Sequence, residues 1–210
     1  MPAPLPIQFG PILPWLDLFG IGVFAATGAL AAARHNQTMV TAAFFALVTG
    51  VGGGTIRDLL IGAPVFWVQG SVVGAAILGV AVLVWITPAR WWPAQALDWL
   101  DAVGLAAYAA FGAAKALGYG VPPVPAFMMG VVTACAGGII RDMLAGQPSI
   151  LMRPELYVTA AALTSALQVG LMLVGLAPFA AGLIAATAGF ALRAAAIRWK
   201  LGLPSYSGER

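Results

Sequence analysis

The chain has 210 residues, of which 61% are hydrophobic and 8% charged, with a formal net charge of +3 and a mean hydropathy of +0.96. A soluble domain carries about 25% charged residues, so a water-soluble globular protein is excluded. The positive balance is too small to point to a nucleic-acid partner.

Taken from the N-terminus, the first apolar run covers 12–33 and opens on Leu16-Asp17. Nothing ahead of Trp15 has the basic start of a cleavable signal peptide, so this segment is expected to be retained and to direct its own insertion. The second run, 40–61, follows a loop with the single histidine, His35, and contains Gly50-Val51-Gly52-Gly53-Gly54-Thr55-Ile56-Arg57-Asp58. The third covers 65–87. The fourth, 99–117, opens on Leu100-Asp101 and carries Lys115 about one turn from its end. The fifth, 124–144, holds the single cysteine, Cys135, and Gly137-Gly138-Ile139-Ile140-Arg141-Asp142. The sixth and seventh cover 156–174 and 178–197, and a basic C-terminal group follows.

Each run approaches the roughly 20 residues that cross a bilayer as a helix. A membrane barrel would alternate apolar and polar residues, whereas these runs are apolar on every side, and lipid forces their backbones into helical hydrogen bonding. The expected fold is an all-α membrane protein, one transmembrane domain over 1–210 with seven spans.

Positive charge collects on the cytoplasmic side of a membrane protein. With the N-terminus outside, the cytoplasmic segments receive Arg34, Arg90, Arg153, Arg193, Arg198, Lys200 and Arg210, and the outer side is left with Arg57 and Lys115. The expected location is the cell inner membrane, with the C-terminus in the cytoplasm.

Asp17 recurs as Asp101, and the same offset of 84 residues aligns Gly20 with Gly104, Gly28 with Gly112, Thr49 with Thr133, Gly53 with Gly137, Gly54 with Gly138, Arg57 with Arg141, Asp58 with Asp142, Gly62 with Gly146 and Pro64 with Pro148. About 20 of 49 ungapped positions are identical, which is duplication rather than shared composition. Each copy, 12–87 and 99–174, holds three spans, an odd number, so the second is inverted in the membrane relative to the first. The seventh span, 178–197, stands outside the repeat. The second and fifth spans are then related by an axis in the membrane plane and are expected to meet near its middle.

Glycine costs about 1 kcal/mol each within a helix, so Gly50, Gly52, Gly53 and Gly54, and Gly137 with Gly138, are expected to break their helices. Broken backbone at this depth must face protein or a water-filled path, where its carbonyls can stand in for an ion's hydration shell. Small-residue packing between helices is the structural alternative. Arg57 with Asp58 and Arg141 with Asp142 follow the glycines by about one turn. They read either as charges flanking a pathway or as clamps pinning each helix end. Asp17 and Asp101 read as helix N-terminal caps. Lys115, whose repeat mate is Ala31, reads as a snorkelling lysine or as a charge that senses the membrane field. Cys135 reads as a packing residue. No His, Cys or carboxylate cluster has metal-ligand spacing, so neither an enzyme, a metal site nor a cofactor is expected.

Two three-helix units with GGGTIRD and GGIIRD on the second helix of each, plus a seventh helix, resemble the prokaryotic branch of the trimeric intracellular cation (TRIC) channel family, which also includes proteins catalogued as uncharacterised or as putative glycine transporters. The resemblance covers nearly the whole chain. It implies a homotrimer in the lipid bilayer, one pore per protomer lined by the glycine-broken second and fifth helices, and potassium, or sodium, as the permeant ion. It assigns Gly52, Gly53 and Gly54 to the first glycine motif, Gly137 and Gly138 to the second, and Lys115 to a basic position linked to voltage response. Ala136 stands where the second motif has its first glycine, so the fifth helix is expected to unwind less than the second. A secondary transporter of a small solute such as glycine is the alternative.

Overall fold

The structure, a computed structural model, describes residues 13–152 and 155–204, with side chains from Asp17 onward. Ile12, Arg153 and Arg210 of the sequence reading lie outside these residues. Seven α-helices follow in order: α1 (Leu13–Arg34), α2 (Met39–Leu60), α3 (Ser71–Ile86), α4 (Ala96–Gly118), α5 (Pro123–Leu144), α6 (Tyr157–Leu173) and α7 (Pro178–Trp199).

Local chemistry sets the helix ends. The Thr38 hydroxyl accepts the Thr41 N–H at 3.2 Å and caps α2. Prolines open α5 and α7, where a missing N–H costs nothing. Gly62 and Gly146, repeat mates, follow α2 and α5 at φ +67° and +64°, a left-handed conformation that glycine adopts without steric cost.

Five helices (α1, α2, α4, α5 and α7) have the length and hydropathy of a membrane span, while α3 and α6 are apolar but shorter. The run expected at 65–87 is helical only from Ser71. Its first residues form a 3-10 turn, Phe66–Gln69, because Asp58 Oδ2 takes the Phe66 N–H at 3.1 Å and the Trp67 indole donates to the Thr55 hydroxyl at 3.0 Å. The second copy has a matching 3-10 turn at Ile150–Met152.

The inverted repeat is visible in the packing. α2 and α5 lie against each other at the centre, α1 and α4 flank them, and α3 and α6 each cover their own copy. α7, which has no mate, packs on α4 and α6.

Two reciprocal contacts mark the pseudo-two-fold axis. A Cβ built on Gly53 would run into the Thr133 carbonyl oxygen, and one on Gly137 would lie 2.5 Å from that of Thr49. Between α1 and α4, Gly20 receives the Tyr108 ring and Gly104 receives the Phe24 ring, and the two rings meet edge-on with centroids 5.4 Å apart. In both exchanges, glycine of one copy takes the larger neighbour of the other, and the helices run antiparallel.

These crossings leave no room for a side chain. Gly53→Ala is expected to destabilise the protein by about 1–3 kcal/mol, the usual cost of overpacking, and to lower the melting temperature of the purified protein. Gly74→Ala, at a helical glycine with nothing within 4 Å of the added methyl, serves as the control. Equal melting of the two variants would refute the close crossing.

Candidate functional site

At the C-terminal end of α2, Arg57 and Asp58 are buried, at 1% and 0% exposure. Consecutive residues on a helix point about 100° apart, yet the long arginine side chain folds back so that Nε donates to Asp58 Oδ1 at 2.9 Å. The same oxygen takes Lys115 Nζ from the end of α4 at 2.8 Å. The second oxygen, Oδ2, holds the Phe66 N–H. One carboxylate therefore ties together α2, α4 and the loop into α3. The Arg57 guanidinium also lies 5.2 Å from the Phe111 ring centroid, a cation–π distance.

The second copy repeats the arrangement at the C-terminal end of α5. Arg141 Nε donates to Asp142 Oδ1 at 3.0 Å, and Asp142 Oδ2 takes the Ile150 N–H at 2.9 Å. Phe66 and Ile150 are repeat mates, as are Arg57 and Arg141. Both Arg-Asp pairs are thus clamps, each fastening a helix end to the loop that follows.

The two clamps differ in their third partner. Arg141 Nη1 donates to Asp101 Oδ1 at 2.6 Å, near the start of α4. The mate of Asp101, Asp17, instead accepts the Tyr108 hydroxyl at 2.9 Å. Tyr108 is the mate of Phe24, which has no hydroxyl to offer Asp101. The Tyr108 hydroxyl is thus one of the differences between the copies. Arg57 keeps Asp58 as its carboxylate partner and its Nη1 has no hydrogen-bond partner. Lys115, replacing the first copy's Ala31, shares Asp58 with it. Counting groups in direct contact, the first cluster holds two cations and one carboxylate and the second holds two carboxylates and one cation.

Several expectations change. The glycines do not break their helices: α2 runs through Gly50, Gly52, Gly53 and Gly54, and α5 through Gly137 and Gly138, as uninterrupted α-helix. Buried backbone has no water to bond with, so it keeps its helical hydrogen bonds, and the glycines serve close approach instead. A Cβ on Gly50 would lie 3.3 Å from the Ile21 carbonyl oxygen, one on Gly52 would meet Ile140, one on Gly54 the Phe66 ring, and one on Gly138 would lie 2.9 Å from the Tyr157 hydroxyl. Asp17 and Asp101 are not caps, because α1 and α4 begin about a turn earlier, at Leu13 and Ala96. Lys115 does not snorkel: its side chain is 14% exposed and its ammonium is bound to Asp58.

Arg193, counted among the cytoplasmic charges by sequence, is fully buried. It pairs with Glu155 at 2.8 Å and lies 5.2 Å from the Tyr157 ring centroid. The overlooked signal is its place on the buried stripe Ala181, Ala185, Gly189, Arg193 and Ala196 of α7. Tyr108 was missed because a lone tyrosine among alanines has no pattern. Cys135 is buried and unpaired. Among the described residues, no group of three His, Cys, Asp or Glu could hold a metal ion.

The family model described as "Glycine transporter" matches twice, over residues 14–88 and 98–173. The chain belongs to this family. Its relatives include a UPF0126 membrane protein of Vibrio cholerae, 36% identical over 198 residues (91% of this chain, 82% of that protein). The UPF0126 inner membrane protein YadS of Escherichia coli K12 is 36% identical over 197 residues (92% and 95%). Among solved structures, the TRIC trimeric intracellular cation channel orthologue from Rhodobacter sphaeroides superposes with a TM-score of 0.84 at 43% identity, covering 91% of this chain and 100% of that one. A prokaryotic TRIC channel crystallised in 0.5 M KCl gives 0.81 at 25% identity, covering 91% and 98%. The glycine-transporter family and the prokaryotic TRIC branch thus meet in this chain. These relatives are membrane proteins and channels, not enzymes.

Removing one partner of a buried ion pair costs about 3–5 kcal/mol, because the other charge stays buried. Asp142→Asn and Asp58→Asn are each expected to fall in this range in reversible unfolding. A double-mutant cycle should couple Lys115 to Asp58 and leave Lys115 and Asp142 additive. Coupling of equal size in both cycles would contradict the separation of the clusters.

Proposed function

We propose that the chain is a monovalent cation channel of the bacterial inner membrane, a homotrimer with one pore per protomer, potassium being the favoured ion. One observation carries the reading: the 43% identity over the full length of a protein described as a trimeric intracellular cation channel orthologue.

The geometry supports a route along the α2–α5 crossing. At its tightest points backbone meets backbone, with the Thr49 and Thr133 carbonyls facing the opposing glycines. If the helices part, these oxygens line the gap, and carbonyl dipoles can replace water around an alkali ion. In the closed crossing described above they face protein, so conduction requires a separation of α2 from α5. The clamps fasten the C-terminal ends of α2 and α5 to α4 and to their own loops, which limits how far either helix can move.

Lys115 is the natural release point. Its bond to Asp58 fastens α4 to α2, it has no counterpart in the other copy, and one charge carried across the whole field is worth about 2.3 kcal/mol per 100 mV. With basic segments in the cytoplasm, Lys115 and Asp58 lie in the outer half of the membrane.

The test is single-channel recording of the purified protein in planar bilayers. Discrete steps reversing near the potassium equilibrium potential are expected, and Lys115→Gln is expected to flatten the voltage dependence by up to about one elementary charge. Absence of cation-selective steps would defeat the reading.

The family description favours a second reading, transport of glycine. Saturable glycine uptake into liposomes, coupled to an ion gradient and without channel steps, would support it over conduction.

A further inference from the structure

A cavity of about 210 Å³ lies between α1, α4, α6 and α7. Its wall is mostly hydrocarbon and aromatic ring, including Tyr108, Phe111 and Phe179, with Asp17 and Gln168 as its two polar acceptor side chains. α7 has no repeat mate, so the duplication does not generate this cavity twice.

Its polar groups can only accept. The Tyr108 hydroxyl, the nearest donor, is already given to Asp17. Gln168 is fully buried. Its amide N–H groups go to Met172 Sδ at 3.1 Å and the Pro178 carbonyl at 3.3 Å, which fixes the side chain and leaves Oε1 without a partner. That oxygen stands 3.5 Å from where a Cβ on Gly182 would sit, and Gly182 is itself part of the wall. A buried acceptor left unpaired costs about 1–3 kcal/mol, a cost that a donor entering the cavity would remove.

We infer that this cavity is a binding site for a compact organic ammonium ion with an aromatic or alkyl body. An ammonium supplies the donors that Gln168 and Asp17 lack, compensates the Asp17 charge, and is attracted by aromatic faces. The apolar wall takes the body, and a cavity of about 150 Å³ already holds benzene, so a ring with a short aminoalkyl arm fits the volume. An acyl chain would leave the carboxylate and the amide oxygen facing hydrocarbon. A bare alkali ion would find too few oxygens to replace its water. The Phe111 ring lines the cavity and also underlies the Arg57 guanidinium, so an occupant would touch the first charge cluster through a single side chain.

The test measures binding without flux, and so stands apart from the conduction reading. The full chain in lipid nanodiscs is titrated calorimetrically with phenethylammonium and, separately, with the neutral 2-phenylethanol. Phenethylammonium is expected to bind about tenfold or more tightly than the alcohol. Asp17→Asn should erase that preference, and Gly182→Leu, or Ala186→Leu as a second filling variant, should abolish binding of both. Equal binding of amine and alcohol to the unmodified chain would mark a plain apolar pocket and overturn the inference. So would no binding, or binding that survives both filling variants.

Discussion

A bilayer offers no water to a buried charge, and this chain places two arginine-aspartate pairs within its helices. Each aspartate answers that constraint twice. One oxygen takes the neighbouring guanidinium, and the other takes a backbone N–H eight residues on, Phe66 in one copy and Ile150 in the other. The carboxylate is thereby fully used and its charge compensated, while the loop into the next helix is bent into a 3-10 turn. The shortened α3, the position of α4 against α2 and the separation of the two charge clusters all follow from this double use. Net stabilisation by a buried pair is small or even negative against an apolar replacement. What the pair does supply is a defined geometry that collapses if one member is removed.

The central crossing obeys a different economy. Gly53 and Gly137 carry no side chain, so the backbones of α2 and α5 come into contact and gain dispersion and packing where lipid gives no hydrophobic drive between helices. Helix propensities measured in water predict breaks at these glycines. In the fold that penalty is outweighed, since an unwound segment would leave several N–H and C=O groups unpaired in a medium where each costs several kcal/mol. The same residues that make the crossing tight leave little side-chain interlock at Gly53 and Gly137, while Ile140 of α5 still packs onto Gly52 of α2.

The duplication was legible because its markers are residues with no physical substitute: glycines at contact, the Arg-Asp clamp, and the Gly62 and Gly146 turns at positive φ. Helix number and inversion followed from counting spans. Partners far apart in sequence were not legible. Nothing in a linear reading joins Asp101 to Arg141, 40 positions away, or Lys115 to Asp58, 57 away. Treating Asp17 as the equal of Asp101 was reasonable by the repeat and wrong in the fold, because Tyr108 carries a hydroxyl where Phe24 does not. The burial of Arg193 was not legible for a related reason: orientation rules count charges near helix ends without regard to packing, and only its place on a stripe of small residues marks it as buried.

The departures from symmetry set the two charge clusters apart. The first cluster has a lysine its mate lacks, an arginine with an unpaired Nη1, and a tyrosine that draws Asp17 away. The second cluster has two carboxylates on one arginine, with both of that arginine's terminal nitrogens bound. Two cations share one carboxylate in the first cluster and two carboxylates share one guanidinium in the second, so the copies carry opposite charge balances. α7 then covers α4 and α6 without any mate covering α1 and α3, bracing the second copy further. An ancestral duplication that began with equivalent halves has in this way acquired two clusters of opposite charge balance and a seventh helix on one copy alone, with the crossing of α2 and α5 as the seam between the copies.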